Sequence, residues 1–171
     1  MNRTHSFLAI GFILIALIYK ASSEENIINK LEASRLIPSL ERGNSLIGTD
    51  SNHNNIRDDI EQYIKEKYPY GEQSKAAEQL AKSLNSIFFA QDNDINKARK
   101  IVESNSAAIN CIYMVFINKQ NNSLESIEPA QVVSEIESIT FNTKERLLKY
   151  IRFNKMLDGT SWSSPDGNTC H

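Results

Sequence analysis

Oxygen-bearing side chains recur at fixed intervals between residues 50 and 61: Asp50, Asn52, Asn54, Asp58 and Glu61. Counted from Asp50, they fall at positions one, three, five, nine and twelve, and Ile56 at position seven offers its backbone carbonyl. This is the pattern a hard divalent cation needs. Calcium takes roughly 6–8 oxygens at ~2.3–2.6 Å. Short Asp and Asn side chains on alternate residues of a curled loop aim oxygens inward, and a longer Glu reaches back from the first turn of a following helix with both of its oxygens. Ile56 then turns its side chain to the core. Asp50, Asp58 and Glu61 repel one another until a cation offsets their charge, which predicts a loop ordered by binding.

Two features weaken the site. The sixth position, where calcium loops turn sharply on Gly, holds Asn55. Asn is among the few residues that tolerate the left-handed conformation, so affinity falls without vanishing. Asn52 and Asn54 also stand where Asp would add charge. Binding on the order of micromolar to millimolar follows. The alternative is a polar turn without an ion. Asp and Asn suit turns, and Asp58, Asp59 and Glu61 stand where negative charge favours a helix N-terminus.

The run GTDSNHNNIRDDIEQYI resembles the loop and exiting helix of EF-hand and dockerin-like calcium motifs of exported proteins. Residues 40–49 contain Gly43 and Gly48 and no helical stripe, so no entering helix is expected. Together with NTKERLLKYIRFN and a Cys near the C-terminus, the run is also similar to a set of exported bacterial proteins without a known activity. That resemblance implies a periplasmic setting and no mechanism.

Other chemistry finds little support. Beyond the first residues the only histidines are His53, at loop position four, and His171 at the last position. Neither has a Cys or Asp partner at the spacing of a zinc site or a nucleophilic triad. Adjacent Cys170 and His171 make a poor chelate. No Gly-rich phosphate loop is present. The pairs Glu24–Glu25 and Asp58–Asp59 read as solvated, because sequence neighbours point apart on a helix. No catalytic residue is assigned, and the expectation leans away from an enzyme. The competing expectation is an enzyme whose site is assembled from distant residues. Asn121 of NNS fits a glycosylation acceptor in a eukaryotic source. With 19 Lys and Arg against 21 Asp and Glu and no basic cluster, no nucleic-acid partner is indicated. An unidentified protein partner is expected.

The elements that must position the loop follow from punctuation and period. Residues 1–23 have the three parts of a secretory signal: an Arg without acids, the apolar run FLAIGFILIALIY, and Ala21 and Ser23 before the cut. Export to the periplasm or the medium is expected. The alternative is an uncleaved anchor, which the run is too short to favour, since a span needs about 20 apolar residues. The remainder contains no other run that could span a membrane. It is long enough for one domain with its own core. Residues 24–49 read as an irregular arm, partly extended, broken by Pro38 and Gly43, although ENIINKLEASRLI also suits a short helix.

Residues 50–157 read as the helical domain. Ile56, Ile60, Tyr63 and Ile64, with the Lys67 stem at their edge, mark a first helical face. Ala77, Leu80, Ala81, Leu84, Ile87 and Phe88 mark a second. Asp92 or Asp94 caps a third, which carries Ile95, Ala98, Ile101, Val102, Ala108, Ile109, Ile112, Tyr113 and Phe116. Its half AAINCIYMVFI is apolar almost all round and should be the most buried segment, with a strand as the local rival. NKQNNSLES is a polar loop. Pro129 opens a fourth helix with Ala130, Val132, Val133, Ile136 and Ile139. Asn142 and Glu145 are spaced as a capping box for a fifth, with Leu147, Leu148, Ile151 and Leu157 as its apolar stripe. Residues 158–171 are a turn-rich tail. Cys111 and Cys170 form the one possible disulfide, tying that tail back, unless both stay free thiols. The fold class expected is all-α: a single domain of about five short helices.

Overall fold

The computed structural model describes residues 26–120, 127–163 and 165–171. The leader and Asn121 lie outside the described residues. Helix is the regular structure present, and no strand occurs among the described residues. The helices are α1 (26–33), α2 (Asp58–Lys67), α3 (Gly71–Asn85), α4 (Ile95–Gln120), α5 (Pro129–Thr140) and α6 (Lys144–Met156), with a 3₁₀ turn at Ser86–Phe89. The chain forms two compact units divided after Ser39, the second being Leu40–His171. In the first unit, residues 26–33 take the helical alternative expected for ENIINKLEASRLI. Among the described residues, no helix is long and apolar enough to cross a membrane.

Within Leu40–His171, α3 is central and packs on α2, α4 and α5, while α6 lies on the 3₁₀ turn and α4. The reason is in its sequence. Ala77, Leu80, Ala81 and Leu84 recur every three or four residues, and Ile87 and Phe88 extend the stripe; all are buried. The two small alanines let neighbouring helices approach. Ile60 and Ile64 do the same for α2, and Tyr68 closes it, its N–H donating to Ile64 O at 2.8 Å. Pro129 is the first residue of α5, where its missing N–H costs nothing. Asp94 Oδ1 accepts the Lys97 N–H at 3.0 Å at the start of α4.

Aromatic rings knit the helices. Tyr68 meets Phe116 edge-on at 5.5 Å, and Phe141 stacks on Tyr150 at 4.3 Å. The fully buried Tyr68 hydroxyl needs an acceptor and finds Glu135 Oε2 of α5 at 2.9 Å, beside that of Tyr63 at 2.8 Å. Burial first, and the Glu135 carboxylate second, push both phenols up. Burial works against the Glu135 charge, but donors from Gln131, Tyr63 and Tyr68 and the charge of Lys67 outweigh it and hold that carboxyl low. This brace joins α2 to α5.

The expected disulfide between Cys111 and Cys170 is present, with Cα atoms 5.0 Å apart. The tail also bonds to both flanking helices. Thr169 Oγ1 donates to Ala107 O at 2.6 Å, Asn110 Nδ2 donates to Gly167 O at 3.1 Å, and Gln79 Nε2 donates to Thr169 O at 2.8 Å.

Four expectations need correction. The second half of α4 is not buried all round: Ala108, Cys111, Ile112 and Phe116 face the core, but Tyr113 and Ile117 are exposed, because neighbours cover one side only. Helix α4 runs through Gln120, so the polar stretch from Asn118 begins inside it. The N-cap of α6 is Thr143, whose Oγ1 accepts the Arg146 N–H at 3.3 Å; the Asn142 oxygen instead accepts from Arg146 Nη1. The α6 stripe is also turned. Leu147, Leu148 and Ile151 are 46 %, 41 % and 52 % exposed, and the buried face is Arg146, Phe153 and Leu157.

Candidate functional site: the 50–61 loop

The loop lies between an irregular segment, residues 40–49, and α2. No helix enters it, as expected. Its curl is made by Asp50. One carboxylate oxygen accepts the Asn54 N–H at 3.1 Å and the other accepts the Asn55 N–H at 2.9 Å. Two successive backbone donors on one carboxylate force the chain to turn tightly. His53 and Asn55 take φ values of +58° and +68°. The left-handed conformation required at the sixth position is therefore adopted by Asn55, the residue type that bears it best after Gly. Ile56 follows with its side chain in the core, 4 % exposed.

Three of the predicted residues meet at one point. Asn54 Nδ2 donates to Glu61 Oε1 at 2.5 Å, and Asn52 Nδ2 donates to both Glu61 oxygens at 3.2 and 3.1 Å. Glu61 is only 9 % exposed and sits in the first turn of α2, so these amides supply the donors its buried carboxylate needs. The amide oxygens are engaged as well: Asn52 Oδ1 accepts the Asn54 N–H at 3.1 Å, and Asn54 Oδ1 accepts the Ile56 N–H at 2.8 Å.

Asp58 stands apart from this cluster. Its two oxygens accept the Ser51 hydroxyl at 2.6 Å and the Ser51 N–H at 2.9 Å. These two bonds, the hydroxyl first, hold its carboxyl below the usual carboxylate range, with help from Lys65. Among the described residues, no group of three or more His, Cys, Asp or Glu side chains is gathered so as to hold a metal ion. The predicted donors thus split into Asp50, the Asn52–Asn54–Glu61 cluster, and Asp58 on Ser51. His53 is exposed.

What fixes the loop to the bundle was not read from the sequence. Arg57, at loop position eight, is 3 % exposed and donates through Nη2 to Ile139 O at 2.9 Å, at the C-terminal end of α5, where carbonyls lack helical partners. Its Nε donates to Asp59 Oδ1 at 2.5 Å. Asp59 is therefore the counterion of a buried guanidinium, not a solvated neighbour of Asp58. The other Asp59 oxygen accepts the Glu41 N–H at 2.6 Å. Arg146 of α6, fully buried, donates to Glu41 O at 2.7 Å and to Ser45 O and Leu46 O at 3.0 Å each, and Glu41 Oε2 accepts the Thr49 N–H at 2.8 Å. Two arginines and two acids thus clamp residues 41–59 onto α5 and α6. Residues 41–46, near the end of the expected irregular arm, bond to α6 through their own backbone carbonyls.

Gly48 belongs to the clamp. It has φ +74°, and a Cβ there would stand 2.3 Å from Arg57 Cδ and 2.9 Å from Cγ. Gly48→Ala is expected to cost about 2–4 kcal/mol, from left-handed strain together with displacement of a pinned side chain. Urea unfolding checks this. A loss below about 1 kcal/mol would mean that Arg57 shifts freely and does not clamp the loop.

The arrangement brings carboxylate and amide groups together in one curl. No family model matches the chain, and neither a curated protein nor a solved structure matches it.

Proposed function

We propose that this is an exported, non-enzymatic helical protein in which residues 50–61 bind calcium weakly as a structural clasp. The observation carrying the reading is the convergence of Asn52 and Asn54 on Glu61 inside a loop curled by the Asp50 carboxylate. Asp50, Asn52, Asn54, the Ile56 carbonyl and Glu61 would hold the ion, and Asp58 would join by releasing Ser51. The ion would supply a positive charge to the Glu61 carboxylate, which now has two neutral amide donors.

The same bonds explain why binding would be weak. To offer oxygen, each amide must turn about its last torsion, giving up the Asn54 and Ile56 N–H bonds that its Oδ1 now accepts. Each such bond is worth about 0.5–1.5 kcal/mol. Support for a role in association comes from α6, whose exposed Leu147, Leu148 and Ile151 form an apolar face of the kind that marks contact sites. The specific observation favouring the ion-free alternative is the Ser51–Asp58 pair, which satisfies one carboxylate without a metal.

Asn54→Asp separates the two readings. It places a second carboxylate against Glu61 in a poorly solvated spot. Without calcium the variant is expected to melt below the parent. With calcium, the added charge should tighten binding about tenfold, measured by titration calorimetry, and restore the melting temperature. If calcium at millimolar concentration gives neither heat nor a thermal shift with the parent, and no rescue with the variant, the loop is a polar turn.

A further inference from the structure

A cleft of about 780 Å³ opens beside the same loop, walled by Asn54, Asn55 and Ile56, by α3, by the 3₁₀ turn and by α4, and lined also by His171. That volume falls in the range of small-molecule sites, ~300–1,000 Å³. We propose that this cleft binds a small organic anion with an apolar body. The proposal does not rest on the calcium reading.

The charge comes from α3. Lys75 and Lys82 both line the cleft, two turns apart on one helical face, and neither forms an ion pair among the described residues. Glu78, the one acid of the lining, is engaged by the Ser74 hydroxyl at 3.2 Å. Glu78 keeps its charge, and two ammonium groups against one carboxylate leave the lining side chains net positive, which favours an anionic head group.

The second, independent observation is Asn85, the last residue of α3. It is 6 % exposed, lines the cleft, and its side-chain amide hydrogen-bonds no described residue. Both amide atoms are reached by solvent rather than sealed in the core, so the group is open to a ligand as donor and acceptor. Asn85 lines the cleft, so a ligand there can reach it. The Phe89 ring, 45 % exposed, supplies the apolar surface of the same space. Head group on Lys75 and Lys82, body on Phe89 and a polar atom on Asn85 define the ligand class. A carboxylate and a phosphate share the required chemistry.

The test is a ¹H–¹⁵N titration of the full chain in chelator-containing buffer, so that its outcome is separate from calcium binding. Benzoate and phenyl phosphate serve as probes, and benzamide is the uncharged match in shape. Either anion is expected to move the Asn85 side-chain NH₂ pair saturably, with benzamide at least about fivefold weaker. Lys75→Gln and Lys82→Gln, both at exposed positions, should together weaken the anion about tenfold while leaving the melting temperature unchanged. Three results overturn the proposal: no saturable shift with either anion at roughly 10 mM, equal binding of benzamide, or unchanged affinity in the double variant.

Discussion

Replacing Arg146 with Met is expected to lower the stability of the folded chain by about 3–5 kcal/mol, the range found when one partner of a buried ionic network is removed. The size follows from what the guanidinium does. It is fully buried, yet its donors reach Glu41 O, Ser45 O, Leu46 O and Asn142 Oδ1 at 2.7–3.0 Å. Met fills much of the volume and satisfies none of these acceptors, so three backbone carbonyls and the Glu41 carboxylate lose a donor together. Burial, and then the nearby Arg57 charge, push the Arg146 pKa down, while Glu41 and Asp59 pull it up. The four groups therefore stand or fall as a set. Arg146→Lys should recover only part of the loss, because a point charge cannot serve several acceptors arranged around a planar fork. Urea unfolding measures both variants, and hydrogen exchange at residues 41–49 reports whether the segment detaches. A neutral or stabilising Met variant would show that hydrophobic filling replaces the network, as happens in some buried ion clusters.

Arg146 also shows where the sequence could be read and where it could not. The central helix was legible because Ala77, Leu80, Ala81, Leu84 and the residues after them keep the helical period without competition. For α6 two faces compete. Leu147, Leu148 and Ile151 form the more apolar stripe and are exposed, whereas Arg146, Tyr150, Phe153 and Leu157 share the face turned inward. That second face has an equally good spacing of three and four, but its first member is an arginine. A reading that ranks faces by hydrophobicity discards it. The carbonyls of Glu41, Ser45 and Leu46, a hundred or more residues away in sequence, make burying it favourable. The candidate loop was half legible for a similar reason. Side-chain spacing predicted the curl, the left-handed Asn55 and the inward Ile56, all of which depend on residues near in sequence. It did not predict that Ser51 would occupy Asp58, since a one-dimensional ligand pattern does not register competing donors inside the same loop. Nor did it find Arg57 and Asp59, whose role is set by Ile139 O on another helix.

Breaking the disulfide gives the second large effect. Joining Cys111 to Cys170, 59 residues apart, removes loop-closure freedom from the unfolded chain worth on the order of 4 kcal/mol. Cys170→Ser is expected to cost about that much, with the wild-type chain in reductant as the parallel measurement free of any substitution. The loss has a second, local component. The tail bonds of Gly167 O and Thr169 to Asn110, Ala107 and Gln79, and that of the His171 N–H to Gln79 Oε1 at 3.1 Å, all lie within four residues of Cys170. Such bonds are each worth about 0.5–1.5 kcal/mol only while the tail is held close, so a freed tail should exchange its amide hydrogens rapidly before the rest of the bundle unfolds. Exchange measured residue by residue separates the two components. Fast exchange confined to the Cys170 and His171 amides, together with a lowered unfolding midpoint, is the expected pattern. An unchanged midpoint on reduction would show that the cross-link constrains nothing the hydrogen bonds do not already hold. A lowered midpoint with the tail still protected would place the whole effect in the unfolded chain. The lining of the anion cleft is part of the same outcome, because His171 reaches it through the Gln79 contact at 3.1 Å.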